Sequence, residues 1–85
     1  MYSGEYMIYE RIRNLRVDKD LNQTQMGQIL GMSQTGYSQY EIGKNDIPTE
    51  ILKKLAEYHN TSTDYLLELT DQKEPYPKSK KYKKN

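Results

Sequence analysis

The chain has 85 residues, with 13 Lys or Arg against 12 Asp or Glu, one His and no Cys. That length supports one small domain with a single modest core, and the missing cysteines exclude a disulfide framework and a thiolate metal site. A lone histidine builds no zinc site, no apolar run approaches a membrane span, and the opening MYSGEYMIYE lacks a basic region followed by an apolar block, so a cytoplasmic protein is expected.

Residues 5–17 predict a first helix, with Ile8, Ile12 and Leu15 at i, i+4 and i+7 and Ser3 placed to cap it. Asp18, Lys19 and Asp20 form a polar turn into Leu21. Asn22 then offers a side-chain oxygen to the free N–H groups that follow it. A second helix runs from Gln23 to Leu30, with Met26, Ile29 and Leu30 spaced for one buried stripe. Gly31 ends it, because glycine enters the left-handed conformation without a Cβ penalty. Met32 is placed inward, and Ser33 caps a third helix from Gln34 to Ile42. Tyr37, Tyr40 and Ile42 face inward or lie at the edge of this helix, which leaves Gln34, Thr35, Ser38 and Gln39 on the other face. Such short hydroxyl and amide side chains are the types that bond base edges.

Pro48 starts a fourth helix, where its missing N–H costs nothing, and Ile51, Leu52, Leu55 and Tyr58 mark the inner stripe. Asn60 and Thr61 break it, and Ser62 caps a short fifth helix carrying Tyr65, Leu66 and Leu69. Five helices and no credible strand give an all-α domain over residues 1–70. The remainder, DQKEPYPKSKKYKKN, has two prolines, no aliphatic residue and a lysine run. It buries too little to offset its chain entropy, so residues 71–85 are expected to be a disordered, flexible tail.

Charge divides along the same boundary. Residues 1–70 carry seven Lys or Arg against ten Asp or Glu, a net minus three, and residues 71–85 carry six Lys against two acids, a net plus four. The tail is either a basic arm that adds phosphate contacts or a solvated end. The third helix holds neither Lys nor Arg, which counts against dense phosphate contact by that helix alone.

IRNLR (residues 12–16), LNQTQMGQILGMS, YSQYEIGK and IPTEILKKLAEYHNTSTDYLL (residues 47–67) together make the chain resemble the phage repressor and Cro type of helix-turn-helix domain. The resemblance covers about two thirds of the residues, including the turn glycine, an E-x-G step and a D-Y-L-L ending. It implies a five-helix, lambda-repressor-like domain whose third helix enters the major groove of double-stranded DNA. In this family a glutamine at the position of Gln23 bonds the DNA backbone, and the loop holding Lys44 and Asn45 touches phosphates. The resemblance also implies that Arg16 pairs with Glu41 to join the first and third helices, and removing one partner of such a pair typically costs about 3–5 kcal/mol.

Gln34, first on the reading helix, has the groups for a bidentate pair with adenine N6 and N7, and Thr35, Ser38 and Gln39 extend the same face. Gly36 and Tyr37 depart from the family, which places a side chain at the first position and Ile or Val at the second. Tyrosines alternating with a basic groove, the pattern of a single-strand binder, are absent. The expected function is therefore a sequence-specific transcriptional regulator, acting as a repressor and needing no cofactor. The alternative is a protein-binding module that reuses the fold, such as an antitoxin-like partner. An enzyme is disfavoured by the single His, the missing Cys and the lack of a phosphate-cradling glycine loop. A homodimer through the fifth helix is expected, with Leu67 as the outward-facing member among Tyr65, Leu66, Leu67 and Leu69.

Overall fold

Local capping chemistry sets most of the helix boundaries in the computed structural model of the chain, which describes residues 9–77. The helices are α1 (Glu10–Asp18), α2 (Gln23–Leu30), α3 (Gln34–Glu41), α4 (Thr49–Tyr58) and α5 (Thr63–Leu66), with no strand among the described residues. Asn22 and Gln25 form a reciprocal capping box: the Asn22 side chain accepts from the Gln25 N–H at 2.8 Å, and the Asn22 N–H donates to the Gln25 side chain at 2.9 Å. Ser33 and Ser62 cap α3 and α5 by accepting the N–H groups of Gly36 and Tyr65. Pro48 is the N-cap of α4 and supplies no side-chain bond.

α1 starts at Glu10, and residues 5–8 of the expected helix lie outside the described residues. Tyr9 is non-helical, with φ −87° and ψ 81°, and its N–H donates to the Glu41 carbonyl at 2.9 Å, a bond that takes the place of an intrahelical one. Ser3 and Ile8, read as cap and core of this helix, lie outside the described residues. At the other end of the fold, α5 stops at Leu66. Glu68 adopts φ 63°, and the N–H groups of Glu68 and Leu69 fold back onto the carbonyls of Tyr65 and Asp64, satisfying the last turn. Leu69 is thereby carried off the helix and is 72% exposed, while Leu67 is half-buried. The outward-facing leucine is Leu69, a correction to the choice of Leu67.

Ile12 and Leu15 from α1, Met26 and Leu30 from α2, Tyr37 from α3, Leu55 and Ala56 from α4 and Leu66 from α5 form one core. Two expected core positions are rotated outward. Ile29 is exposed because the buried stripe of α2 runs through Met26, Gly27 and Leu30. Gly27 permits that phase: a Cβ there would lie 2.8 Å from the Met32 carbonyl oxygen, so only glycine lets the start of α3 approach this closely. In α4 the stripe passes through Leu55, Ala56 and His59, which leaves the Tyr58 ring at the rim beneath the Lys19 ammonium, 5.3 Å from its centroid. Ile42, at the C-cap of α3, is also exposed.

Residues 71–77 have no regular structure and are exposed, yet polar contacts tie them to the body. Arg11 donates to the carbonyls of Tyr65, at 3.0 Å, and Thr70, pairs with Asp71 at 2.8 Å and lies over the Tyr65 ring. The Thr61 hydroxyl donates to the Lys73 carbonyl, and the Tyr76 hydroxyl donates to Asp64 at 2.9 Å. The lysine run from residue 78 to 85 lies outside the described residues.

Candidate nucleic-acid interface

α2 and α3 pack more extensively on each other than any other pair of helices, and the joint between them is three residues long. Gly31 sits at φ 75°, ψ 33°, so that its own N–H reaches Gln28 and the Met32 N–H reaches Gly27, at 2.8 Å. This left-handed residue turns the chain sharply enough for Ser33 to open α3 against the end of α2. Met32 packs half-buried on the core behind the turn.

With Tyr37 and Glu41 buried, α3 has a defined outer surface. Gln34 and Thr35 are exposed on it, and Ser38 and Gln39 are half-buried. Lys44 and Asn45 are exposed in the loop that follows. The Gln39 carbonyl accepts the N–H groups of Lys44, at 2.9 Å, and Asn45, while its side-chain oxygen accepts from the Asn45 amide at 2.7 Å. This bond occupies one lone pair of the Gln39 side-chain oxygen and leaves its two amide hydrogens directed elsewhere. Gly36 lies on the flank of α3. A Cβ added there would meet only the ends of the Met32 and Ser33 side chains, both at 3.2 Å, so its steric constraint is far softer than that at Gly27.

Behind this surface Arg16 and Glu41 meet in a two-pronged pair, Nε to Oε2 at 2.7 Å and Nη2 to Oε1 at 3.2 Å. Arg16 also donates to the Leu21 carbonyl at 2.8 Å, which fixes the guanidinium at the α1–α2 turn. Glu41 is only 2% exposed. Burial by itself would push its carboxyl up, but hydrogen bonds from Arg16 and Gln23, with the Tyr37 hydroxyl nearby, hold it below the ordinary carboxylate value. Loss of water, and after it the Glu41 carboxylate, pushes the Tyr37 hydroxyl well above its usual range, and among the described residues that hydroxyl has no hydrogen-bond partner.

The structure brings Gln23 and Gln34 onto this pair. The Gln23 amide donates to Glu41 Oε1 at 3.2 Å, and the Gln34 amide donates to Gln23 Oε1 at 2.7 Å. Gln34 and Gln23 thus stand as neighbours at one end of the face, with Gln39 and Asn45 paired at the other. The links from Glu41 to Gln23 and from Gln23 to Gln34 span 18 and 11 residues, so no local pattern in the sequence joins the two glutamines. The Asn22-x-x-Gln25 spacing is the local sequence signal of the capping box that opens α2. Arg11 had no local signal at all, its partners lying 54 to 60 residues away.

Among the described residues no cluster of His, Cys, Asp and Glu could hold a metal ion, and no helix is long and apolar enough to cross a membrane.

Comparison with known proteins agrees with this geometry. The helix-turn-helix family profile matches residues 12–66, the span from the α1 core isoleucine to the end of α5. A prophage-derived HTH-type transcriptional regulator of Bacillus subtilis, YonR, is 39% identical over 64 residues, covering 75% of this chain and 59% of that protein. The HTH-type transcriptional regulator YobD of the same bacterium is 32% identical over 77 residues, covering 91% of the chain and 69% of its own length. The CTXphi phage transcriptional repressor RstR of Vibrio cholerae is 36% identical over 53 residues, covering 62% of the chain and 48% of the repressor.

Proposed function

The chain belongs to the helix-turn-helix family, and from that premise we propose that it is a sequence-specific regulator of transcription that binds double-stranded DNA with α3 in the major groove. The observation that carries this reading is the polar outer surface of α3: Gln34 and Thr35 are exposed and Ser38 and Gln39 half-exposed, on a helix whose opposite side is anchored by the fully buried Tyr37. Gln34 pairs with adenine N6 and N7, a contact worth about 1–3 kcal/mol of discrimination, and Thr35, Ser38 and Gln39 read the neighbouring bases. Gln23, in the first turn of α2, holds a phosphate where free N–H groups favour an anion. Lys44 and Asn45 do the same beyond α3. The lysines of residues 78–85 add charge that the body lacks.

Repression is the mode we infer, in keeping with the name of the Vibrio phage relative, since a domain occupying a promoter need only exclude other proteins. A single reading helix without Lys or Arg binds weakly, and doubling it on a two-fold site raises affinity without new contacts. We therefore propose a homodimer through the α5 flank, where Leu69 is 72% exposed, acting in the cytoplasm on half-sites about 10 base pairs apart.

Selection from a pool of random duplexes tests the reading. The expected result is enrichment of a two-fold symmetric site, bound with an affinity that falls steeply with salt because phosphate contacts release counterions. A pool that returns unenriched, with salt-independent capture, refutes it.

A further inference from the structure

We propose that Glu41, buried behind α3, is a positioning residue that dictates which face of its amide Gln34 presents to a base. This rests on the reading of Gln34 as the base-contacting residue. A chain of hydrogen bonds connects the two residues, and each bond admits one orientation of the next group.

An ionised carboxylate accepts hydrogen bonds and donates none. Glu41 Oε2 takes Arg16 Nε at 2.7 Å, and Oε1 is shared by Arg16 Nη2 and Gln23 Nε2, both at 3.2 Å. Gln23 must therefore turn its nitrogen toward the interior, which leaves its oxygen facing α3. That oxygen in turn can only accept, so Gln34 must present its nitrogen to it, and the two atoms lie 2.7 Å apart. Flipping either amide would bring two acceptors into contact, a repulsive arrangement that is strongest at the part-buried link between Gln23 and Glu41.

What remains on Gln34 is its carbonyl oxygen and the second hydrogen of its amide nitrogen. One acceptor beside one donor is the complement of adenine, which offers an N6 donor and an N7 acceptor in the major groove. A free glutamine samples both amide orientations and loses that freedom on binding. Here the choice is made in advance by a charge two side chains away. Glu41 stays ionised to do this because Arg16 is itself pinned by the Leu21 carbonyl at 2.8 Å.

The test replaces both charges with apolar residues of similar length, Arg16→Met with Glu41→Met, an exchange that buried ion pairs commonly tolerate without loss of folding. Gln23 and Gln34 are untouched in this variant. The first readout is the side-chain amide of Gln34 in the free protein by nitrogen-15 NMR, identified by its disappearance in Gln34→Ala. In the wild type its two N–H signals should be split further apart than those of the exposed Gln28, and in the double variant they should converge on the Gln28 values. The second readout is the affinity for a selected duplex divided by that for the same duplex with the Gln34-contacted base pair exchanged. This ratio should fall about tenfold, with binding to unrelated duplexes unchanged. Should the double variant fail to fold, Gln23→Met cuts the chain at its middle while leaving the ion pair whole, and the same fall in the ratio is expected. An unchanged Gln34 amide and an unchanged ratio in the folded double variant overturn the proposal, as does an unchanged ratio in Gln23→Met. A wild type that prefers no duplex removes the DNA-reading function instead, and the amide signals still decide whether Glu41 orients Gln34.

Discussion

His59 should make this domain acid-sensitive in a defined window. The side chain closes α4 on its inner side, is 4% exposed, and among the described residues neither ring nitrogen has a hydrogen-bond partner. Loss of water, with the nearby charges of Lys19 and Lys73, pushes its pKa from 6.5 down to about 4. The unfolded chain thus takes up a proton near pH 6.5, whereas the native protein refuses it until about pH 4. Stability is complete above pH 6.5 and is lost progressively as pH falls through that interval. At about 1.36 kcal/mol per unit of displacement, the loss reaches roughly 3 kcal/mol, a large share of the ~5 kcal/mol at the lower end of the range for small domains. Urea titrations at steps from pH 7 to pH 4 measure it. In His59→Leu the decline over this interval should largely vanish, and stability at pH 7 should hold or rise because two unpaired buried nitrogens are removed. Glu41, held below the ordinary carboxylate value, contributes stability that is present above pH 4.5 and lost only as pH falls further, so its effect meets the histidine window only at the acid end and is common to wild type and His59→Leu. Parallel curves for wild type and His59→Leu between pH 6.5 and 4 would refute the reasoning.

Three further perturbations address the turn, the clamp and the tail. Gly27→Ala should destabilise the fold by about 1–2 kcal/mol, since the clash with the Met32 carbonyl at 2.8 Å outweighs the helix propensity gained; a rise in the urea midpoint would contradict this. Arg11→Ala removes the bonds to Tyr65, Thr70 and Asp71, so native-state trypsin cleavage after Lys73 should accelerate several-fold, and an unaltered rate would deny Arg11 its clamping role. Deleting residues 78–85, which hold five of the tail's six lysines, should weaken binding to all duplexes alike and flatten the dependence of log affinity on log salt; an unaltered slope would leave the tail as a solvated end.

The parts of this fold legible in the sequence are those written in local chemistry. Asn22, Gly31 and Ser33 act on backbone groups within a few residues, and α2 and the start of α3 were placed from them to the residue. Where a distant partner decides, the pattern misleads. The start of α1 depends on the bond between Tyr9 and Glu41, 32 residues apart, and the apolar spacing that suggested an earlier start carries no trace of it. Ile29 and Tyr58 fit an inner stripe by spacing, but the close approach at Gly27 and the burial of His59 rotate both helices by about one position. A polar residue such as His59 is excluded from a core by any hydrophobicity pattern, so its burial was invisible in advance. The candidate interface was legible as a set of side chains on one face. Its internal order, from Arg16 through Glu41 and Gln23 to Gln34, rests on links that span 25, 18 and 11 residues and leave no local pattern.

The central claim is that the α3 surface reads bases, and the affinity of Gln34→Ala for selected and unrelated duplexes tests it most directly. Competition titrations at one fixed salt concentration are sufficient. Binding to the selected duplex should weaken by about 1–3 kcal/mol and tolerance should widen at one base pair, while non-specific binding stays nearly intact. Equal losses for every duplex, or no loss for any, would contradict the account.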